Sequence, residues 1–97
     1  MINMVSEKRV KKYLSKTKEA LDKVDLTAPK RSHNFKIAKD FLEMAVSYYS
    51  DAEHFLENDE LDDAFACVNY AHGWLDAGAR LGLFDTGGDD QLFTLLS

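Results

Sequence analysis

Ninety-seven residues are enough for one domain and too few for two. The only cysteine, Cys67, excludes an internal disulfide and a multi-cysteine zinc site, and no apolar run approaches the ~18 residues of a membrane span. The net charge of -5 conceals an asymmetry, because residues 1–36 hold ten Lys and Arg against four Asp and Glu, whereas residues 37–97 hold two against thirteen.

The first predicted element is a basic helix over about residues 6–25. Ser6 is a favourable N-cap residue, and apolar side chains recur after it at steps of three and four residues. This narrow seam comprises Val10, Tyr13, Leu14, Thr17, Leu21 and Val24. The lysines are spread over the whole opposite face, which favours a solvated surface over a nucleic-acid site. A basic helix nevertheless makes weak nucleic-acid binding the alternative function of the chain.

The second helix is predicted over about residues 32–57 and the third over about residues 59–81. The apolar arc of the second helix is wide enough to contact two neighbours, as the middle helix of three must do. Asn58 and Asp59 form the turn, with Asp59 as the expected N-cap of the third helix. Gly82 stands where a C′ glycine ends a helix.

The third helix is predicted to be apolar around more than half of its circumference. At about 100° per residue, its apolar arc comprises Ala66, Cys67, Tyr70, Ala71, Trp74, Ala77, Gly78 and Leu81, with Val68 and Leu75 at the edge. The remaining side chains form a polar strip of Asn69, His72, Gly73, Asp76 and Arg80. Cys67 falls on the apolar arc, which predicts a buried, inert thiol.

The tail, residues 85–97, begins with a flexible turn that contains Gly87 and Gly88. Its apolar residues either dock on their own bundle or pair with a second copy, and we favour docking on their own bundle. These residues are Leu92, Phe93, Leu95 and Leu96. No segment is typical of a strand, and the short connections imply antiparallel neighbours. The sequence thus predicts a single all-α domain over residues 1–97, an up-and-down three-helix bundle with a short C-terminal tail.

No arrangement of residues points to catalysis, to a metal or to a cofactor. The chain contains neither a Gly-x-Ser-x-Gly motif nor a phosphate-binding glycine loop, and no basic residue stands near Cys67 to activate its thiol. In an antiparallel hairpin, His54 and His72 would lie about 13 Å apart along the axis, too far for one metal ion. We therefore expect a protein that is not an enzyme and that holds no metal or cofactor.

The polar strip is either an ordinary solvated face, with Asp76 and Arg80 as an i,i+4 ion pair, or a surface for a partner, and Gly73 is the residue that the first interpretation does not explain. A glycine in the middle of a helix costs about 1 kcal/mol relative to alanine, and a solvated face offers no compensation. The bare backbone between His72 and Asp76 would instead permit the close approach of a partner chain, a second copy or the tail. Asn69, His72, Gly73, Asp76 and Arg80 are therefore the candidate partner-binding residues.

Two motifs carry a resemblance to a known family. They are Tyr48-Tyr49-Ser50-Asp51-Ala52-x-x-Phe55, followed by Ala64-Phe65, and Tyr70-Ala71-x-Gly73-x-Leu75-Asp76-Ala77-Gly78-x-Arg80-x-Gly82. Over most of its length the chain resembles the archaeal family called domain of unknown function 357, although Asn58-Asp59 stands where that family favours Gly-Asp. The resemblance implies a small three-helix bundle of an archaeal cytoplasm. Because some relatives carry a similar segment beside a cytidylyltransferase-like domain, it also implies an accessory role, and it brings no catalytic residue.

The sequence therefore predicts a non-catalytic, cytoplasmic helical module that binds another protein or a second copy of itself. Weak nucleic-acid binding through the first helix is the alternative, and membrane association is not expected. The identity of the partner, the oligomeric state and the biological process do not follow from the sequence.

Overall fold

A computed structural model describes residues 2–89 and 91–93 of the chain. Its elements, in order, are α1 (Glu7–Lys23), β1 (Asp25–Leu26), α2 (His33–Glu57), α3 (Leu61–Arg80) and β2 (Phe84–Asp85). Each helix begins and ends within two residues of its predicted range, and the predicted all-α three-helix bundle is confirmed. Among the described residues, no helix combines the length and apolarity needed to cross a membrane.

Contacts between the ends of the helices define an up-down-up bundle. The side chain of Asn3, just before α1, bonds to the backbone of Leu61 at the start of α3, and Thr27, after α1, bonds to the carbonyl of Leu83, after α3. Helices α1 and α3 therefore run in the same direction. The ring pairs Phe41–Trp74 and Tyr48–Tyr70 show that α2 runs antiparallel to α3.

A short β-ladder, which the sequence does not predict, closes one end of the bundle. Strands β1 and β2 pair antiparallel, with Asp25 opposite Asp85 and Leu26 opposite Phe84. The expectation that the chain has no strand is therefore wrong. Each strand has two residues, too few for an alternating pattern to be visible, and the pairing arises because the chain leaves α1 and α3 at the same end.

The predicted apolar arc of α3 is rotated away from the helix face that the bundle buries. The buried residues are Leu61, Ala64, Val68, Ala71, Leu75 and Gly78. Ala66, Tyr70 and Ala77, which the arc assigns to the core, are exposed. Apolar and small residues occupy two faces of α3, and the face with the branched side chains of Val68 and Leu75 fills the space against α1 and α2.

Asp59 does not cap α3, contrary to the expectation from sequence. It is the left-handed residue that ends α2, with φ 57°, and the amide of Glu60 reaches the carbonyl of Phe55 at 2.9 Å. This geometry is a Schellman motif, so the residue at the turn completes the helix before it. The cap of α3 comes from Asn3, whose Oδ1 accepts a hydrogen bond from the amide of Leu61 at 3.0 Å.

The C-terminal segment, of which residues 86–89 and 91–93 are described, packs on the bundle of its own chain, the arrangement that the sequence favours. Leu92 and Phe93 are buried in one cluster with Leu75 and Phe84. Lys23 of α1 forms an ion pair of 2.5 Å with Asp89, which ties the segment to the end of the bundle. Leu95 and Leu96 lie outside the described residues.

Candidate functional site

The five residues of the polar strip do not form one surface. Asn69, Gly73 and Arg80 are exposed, whereas the side chains of His72 and Asp76 are only 17% and 29% exposed. The strip therefore divides into an outward part and a part that faces the rest of the chain.

His72 is held between α1 and the C-terminal segment. Its Nε2 lies 2.6 Å from the carbonyl oxygen of Leu92, and its Nδ1 lies 3.0 Å from Oγ1 of the buried Thr17. A carbonyl oxygen only accepts, so Nε2 carries a proton, and in the neutral ring Nδ1 accepts the hydrogen bond of Thr17. Asp76 follows one turn later, with Oδ1 3.8 Å from Nε2. Of the occupants that the sequence suggests for the strip, the tail contacts His72.

Two residues of the outward part of the strip, Asn69 and Gly73, belong to a shallow, open groove along α3 that Arg80 does not line. The groove is lined by Ala66, Asn69, Tyr70, Gly73, Trp74 and Ala77. An added β-carbon at Gly73 would meet no atom within 4 Å, which leaves the backbone of α3 bare at the middle of the groove. The lining is mostly apolar, so removing it from contact with water is favourable.

Two aromatic side chains of α3 line this groove, and rings of α2 pack against both of them. Tyr70 is 56% exposed, and its ring packs edge-on against Tyr48, with centroids 4.5 Å apart. Trp74 packs in the same way against Phe41, with centroids 5.0 Å apart. Because their neighbours restrict both rings, little conformational entropy is left to lose when a partner covers them.

The exposed residues of α3 continue the groove into a seam with the spacing of a coiled coil. We call the set Asp63, Ala66, Tyr70, Gly73, Ala77 and Arg80 the outer seam; all six are exposed. Successive members are 3, 4, 3, 4 and 3 residues apart, the alternation of a and d positions in a heptad repeat. The sequence interpretation does not identify this seam, because it assigns Ala66, Tyr70 and Ala77 to the core. The heptad spacing of the six residues is the feature of the sequence that could have identified the seam.

Charged residues stand at both ends of the outer seam. Asp63 lies in the first turn of α3 and Arg80 in its last turn. Neither side chain forms an ion pair with another residue in the described part of the chain. The four residues between them are uncharged, so the seam has a negative end, an uncharged middle and a positive end.

The thiol of Cys67, which follows the groove residue Ala66 in the chain, is not activated. Cys67 is half-buried, less than the sequence predicts, and burial followed by the negative charges of Asp51 and Asp63 raises the pKa of its thiol. A raised pKa keeps the thiol protonated and makes it a poor nucleophile. Within residues 2–89 and 91–93, no three His, Cys, Asp or Glu side chains converge in a way that would hold a metal ion.

Comparison with known proteins identifies the family. The family model described as "Protein of unknown function (DUF357)" matches residues 12–84. The chain belongs to the DUF357 family. No curated protein and no solved structure matches the chain.

The DUF357 match places the outer seam and the groove inside the family domain. It begins within α1 and ends at Phe84 of β2, so that all of α2 and α3 is included. Asn3, which caps α3, and Leu92, which binds His72, lie outside the matched residues. The groove is therefore built entirely from the family domain, whereas two of the contacts that close the bundle are not.

Proposed function

We propose that this DUF357 protein is a non-catalytic helical module that binds an α-helix of a protein partner along the outer seam of α3. One observation carries the proposal: the six exposed seam residues follow heptad spacing on the face of α3 that the bundle leaves uncovered. Two helices that associate in water commonly do so through such a seam.

The shape of the groove favours a helix as the occupant. Ala66, Gly73 and Ala77 have small side chains or none, so a second helix axis can approach to about 8 Å. Tyr70 and Trp74 lie beside these small residues as rigid aromatic anchors. Tyrosine and tryptophan are residue types that dominate binding energy at protein interfaces. An open groove along a helix axis does not enclose a small molecule.

The cytoplasm is the compartment that we propose for the module. Cys67 is a free thiol, and the bundle is held by packing and hydrogen bonds without a disulfide. These features fit a reducing environment.

Photo-crosslinking tests the proposal. A benzophenone amino acid at position 77, in the seam, should form an adduct with a helical segment of a protein in the source lysate or in the purified sample. The matched control carries the same amino acid at position 50, where the exposed Ser50 of α2 lines a different surface. Mass spectrometry identifies the crosslinked peptide. Equal labelling at the two positions, or an adduct confined to non-helical peptides, would contradict the proposal.

The alternative, weak nucleic-acid binding through α1, has less support from the contacts. Lys11 pairs with Glu7, and Lys23 pairs with Asp89. The guanidinium of Arg9, the only arginine of α1, lies 5.3 Å from the ring centroid of Phe65, within its own fold. A fluorescent 20-base-pair duplex distinguishes the two functions, because phosphate-driven binding would be measurable at low salt and would fall steeply with added salt.

A further inference from the structure

We infer that the helix bound by the outer seam is α3 of a second copy of this chain, packed antiparallel about a twofold axis level with the Ala71–His72 peptide. The inference rests on the proposed function and names the partner. It follows from the order of residues along the seam, which becomes self-complementary when the helix is reversed against itself.

Antiparallel pairing brings opposite charges together at the ends of the seam and sets a large side chain against a glycine at its centre. When a copy of α3 is reversed about the point between residues 71 and 72, Asp63 lies level with Arg80 of the second copy. In the same alignment, Ala66 lies level with the second Ala77, and Tyr70 with the second Gly73. Antiparallel coiled coils place a positions against d positions in this way, so each pair shares one layer.

The central layers pair a large side chain with a bare backbone. The exposed ring of Tyr70 covers the second Gly73, where, apart from the adjoining backbone of α3, no atom of the described residues lies within 4 Å of an added β-carbon. Twofold symmetry repeats this contact, so both tyrosines bury their exposed faces. In the free chain, alanine at position 73 would make the helix more stable than glycine does. The close approach of the partner's tyrosine thus accounts for the glycine.

The end layers fix the direction of pairing. In the antiparallel dimer, Asp63 meets Arg80 at each end, and both residues are without an ion pair in the described part of the chain. A parallel dimer would instead place Asp63 against Asp63 and Arg80 against Arg80. A shift of one heptad would leave the charges opposite uncharged residues. Only the antiparallel alignment in this register joins opposite charges at both ends.

The size of the seam predicts a weak dimer that does not grow further. Asp63 and Arg80 are separated by about 26 Å of helix. A contact of that length buries about 1,000 Å² in total, the low end of specific interfaces. We therefore expect reversible association in the micromolar range. The twofold arrangement uses the same surface on both copies, so the assembly stops at two.

Charge exchange tests the arrangement in the full-length protein. Asp63→Arg places arginine against arginine in both end layers, and Arg80→Asp places aspartate against aspartate. Each single variant should raise the dimer dissociation constant about tenfold. The double variant Asp63→Arg/Arg80→Asp, and an equimolar mixture of the two single variants, should restore the wild-type value. Within one chain the two side chains are too far apart to pair, so rescue reports a contact between copies.

Sedimentation equilibrium from about 1 to about 300 μM covers the expected range of dissociation constants. Asp40→Arg, the same charge change at an exposed position of α2, is the control and should leave dimerisation unchanged. Circular dichroism checks that each variant is folded. A monomeric wild type, or a double variant that dimerises no better than the single variants, overturns the inference. A monomeric chain that still crosslinks another protein's helix at position 77 would leave the proposed function standing, whereas absence of both results would remove both.

Discussion

Phe84 packs its ring against the backbone of Gly78 so closely that no β-carbon fits between them. An ideal β-carbon on Gly78 would lie 2.6 Å from Cδ2 and 2.7 Å from Cζ of the Phe84 ring. Phe84 is 5% exposed and belongs to the core cluster, so its ring has little room to move. Gly73 lies on the same helix but has no atom within 4 Å of the equivalent position.

The two helical glycines should therefore respond to alanine in opposite ways. Gly78→Ala is expected to lower the free energy of unfolding by about 1–2 kcal/mol, because overpacking outweighs the gain in helix propensity. Gly73→Ala is expected to raise it by about 0.5–1 kcal/mol, because only the propensity term applies. Urea denaturation at low protein concentration, where the chain is monomeric, measures both. A Gly78→Ala variant as stable as wild type would show that the Phe84 ring moves aside freely.

The sequence predicts those parts of the fold that depend on local chemistry. Val10, Leu14 and Thr17 form the buried seam of α1, Ser6 caps that helix, and Gly82 ends α3 with φ 74°, all as expected. On α3, periodicity gives the wrong face because Val68 and Tyr70 belong to two apolar faces of one helix. Only packing against α1 and α2 decides which of these faces is buried.

Contacts between distant segments are the other part that the sequence does not predict. The cap of α3 comes from Asn3, and the imidazole of His72 binds Leu92, twenty residues further along the chain. No local pattern encodes either partner. The same limitation affects the prediction of the candidate site. The sequence places Gly73 correctly on an open surface, but it places His72 on that surface as well, although His72 binds Leu92.

The cap supplied by Asn3 leads to a second prediction. Its Oδ1 accepts hydrogen bonds from the first amides of α3, and the carboxylate of Asp62 accepts in return from the amides of Met4 and Val5. Asn3→Ala removes the acceptor and should lower the free energy of unfolding by about 1 kcal/mol. The control is Asn34→Ala, at an exposed position in the first turn of α2. Equal effects of the two substitutions in urea denaturation would contradict the capping role of Asn3.

Acid should release the C-terminal segment. Hydrogen bonds from Lys23, and then from the amide of Leu92, lower the pKa of Asp89 below its ordinary value. Folding therefore favours the ionised carboxylate, so its contribution is present above the pKa of the unfolded chain and is lost as the pH falls through the lower folded value. The segment should loosen below about pH 4.

Nuclear Overhauser contacts between Phe93 and the bundle measure this release, and they should weaken on acidification before the helices unfold. In Asp89→Asn, the contacts should be weaker at neutral pH and should change less between about pH 5 and pH 3. Asp40→Asn, at an exposed site on α2, serves as the control and should behave like wild type. Loss of the contacts and of helical circular dichroism at one common pH would refute a separate release of the segment.

The hydrogen bond between Thr17 and His72 gives the last prediction, because it links α1 to the residue that binds the C-terminal segment. Thr17 is 1% exposed, and its hydroxyl lies 3.0 Å from Nδ1 of His72. Thr17→Val keeps the shape of the side chain but leaves Nδ1 without its donor, which should cost about 1–2 kcal/mol of unfolding free energy. In a His72→Leu background, the same substitution has no hydrogen bond to remove and should cost little.

A double-mutant cycle by urea denaturation isolates this interaction, with an expected coupling energy of about 1 kcal/mol. The ¹⁵N shifts of the imidazole provide an independent measurement, since the carbonyl of Leu92 requires a proton on Nε2 and the neutral ring should be that tautomer. Additive costs in the cycle, or a neutral ring protonated on Nδ1, would mean that Thr17 and Leu92 do not hold His72 as the geometry indicates. A positive result would assign His72 to the closure of the bundle and leave Gly73 and the outer seam as the part of α3 that is available to a partner.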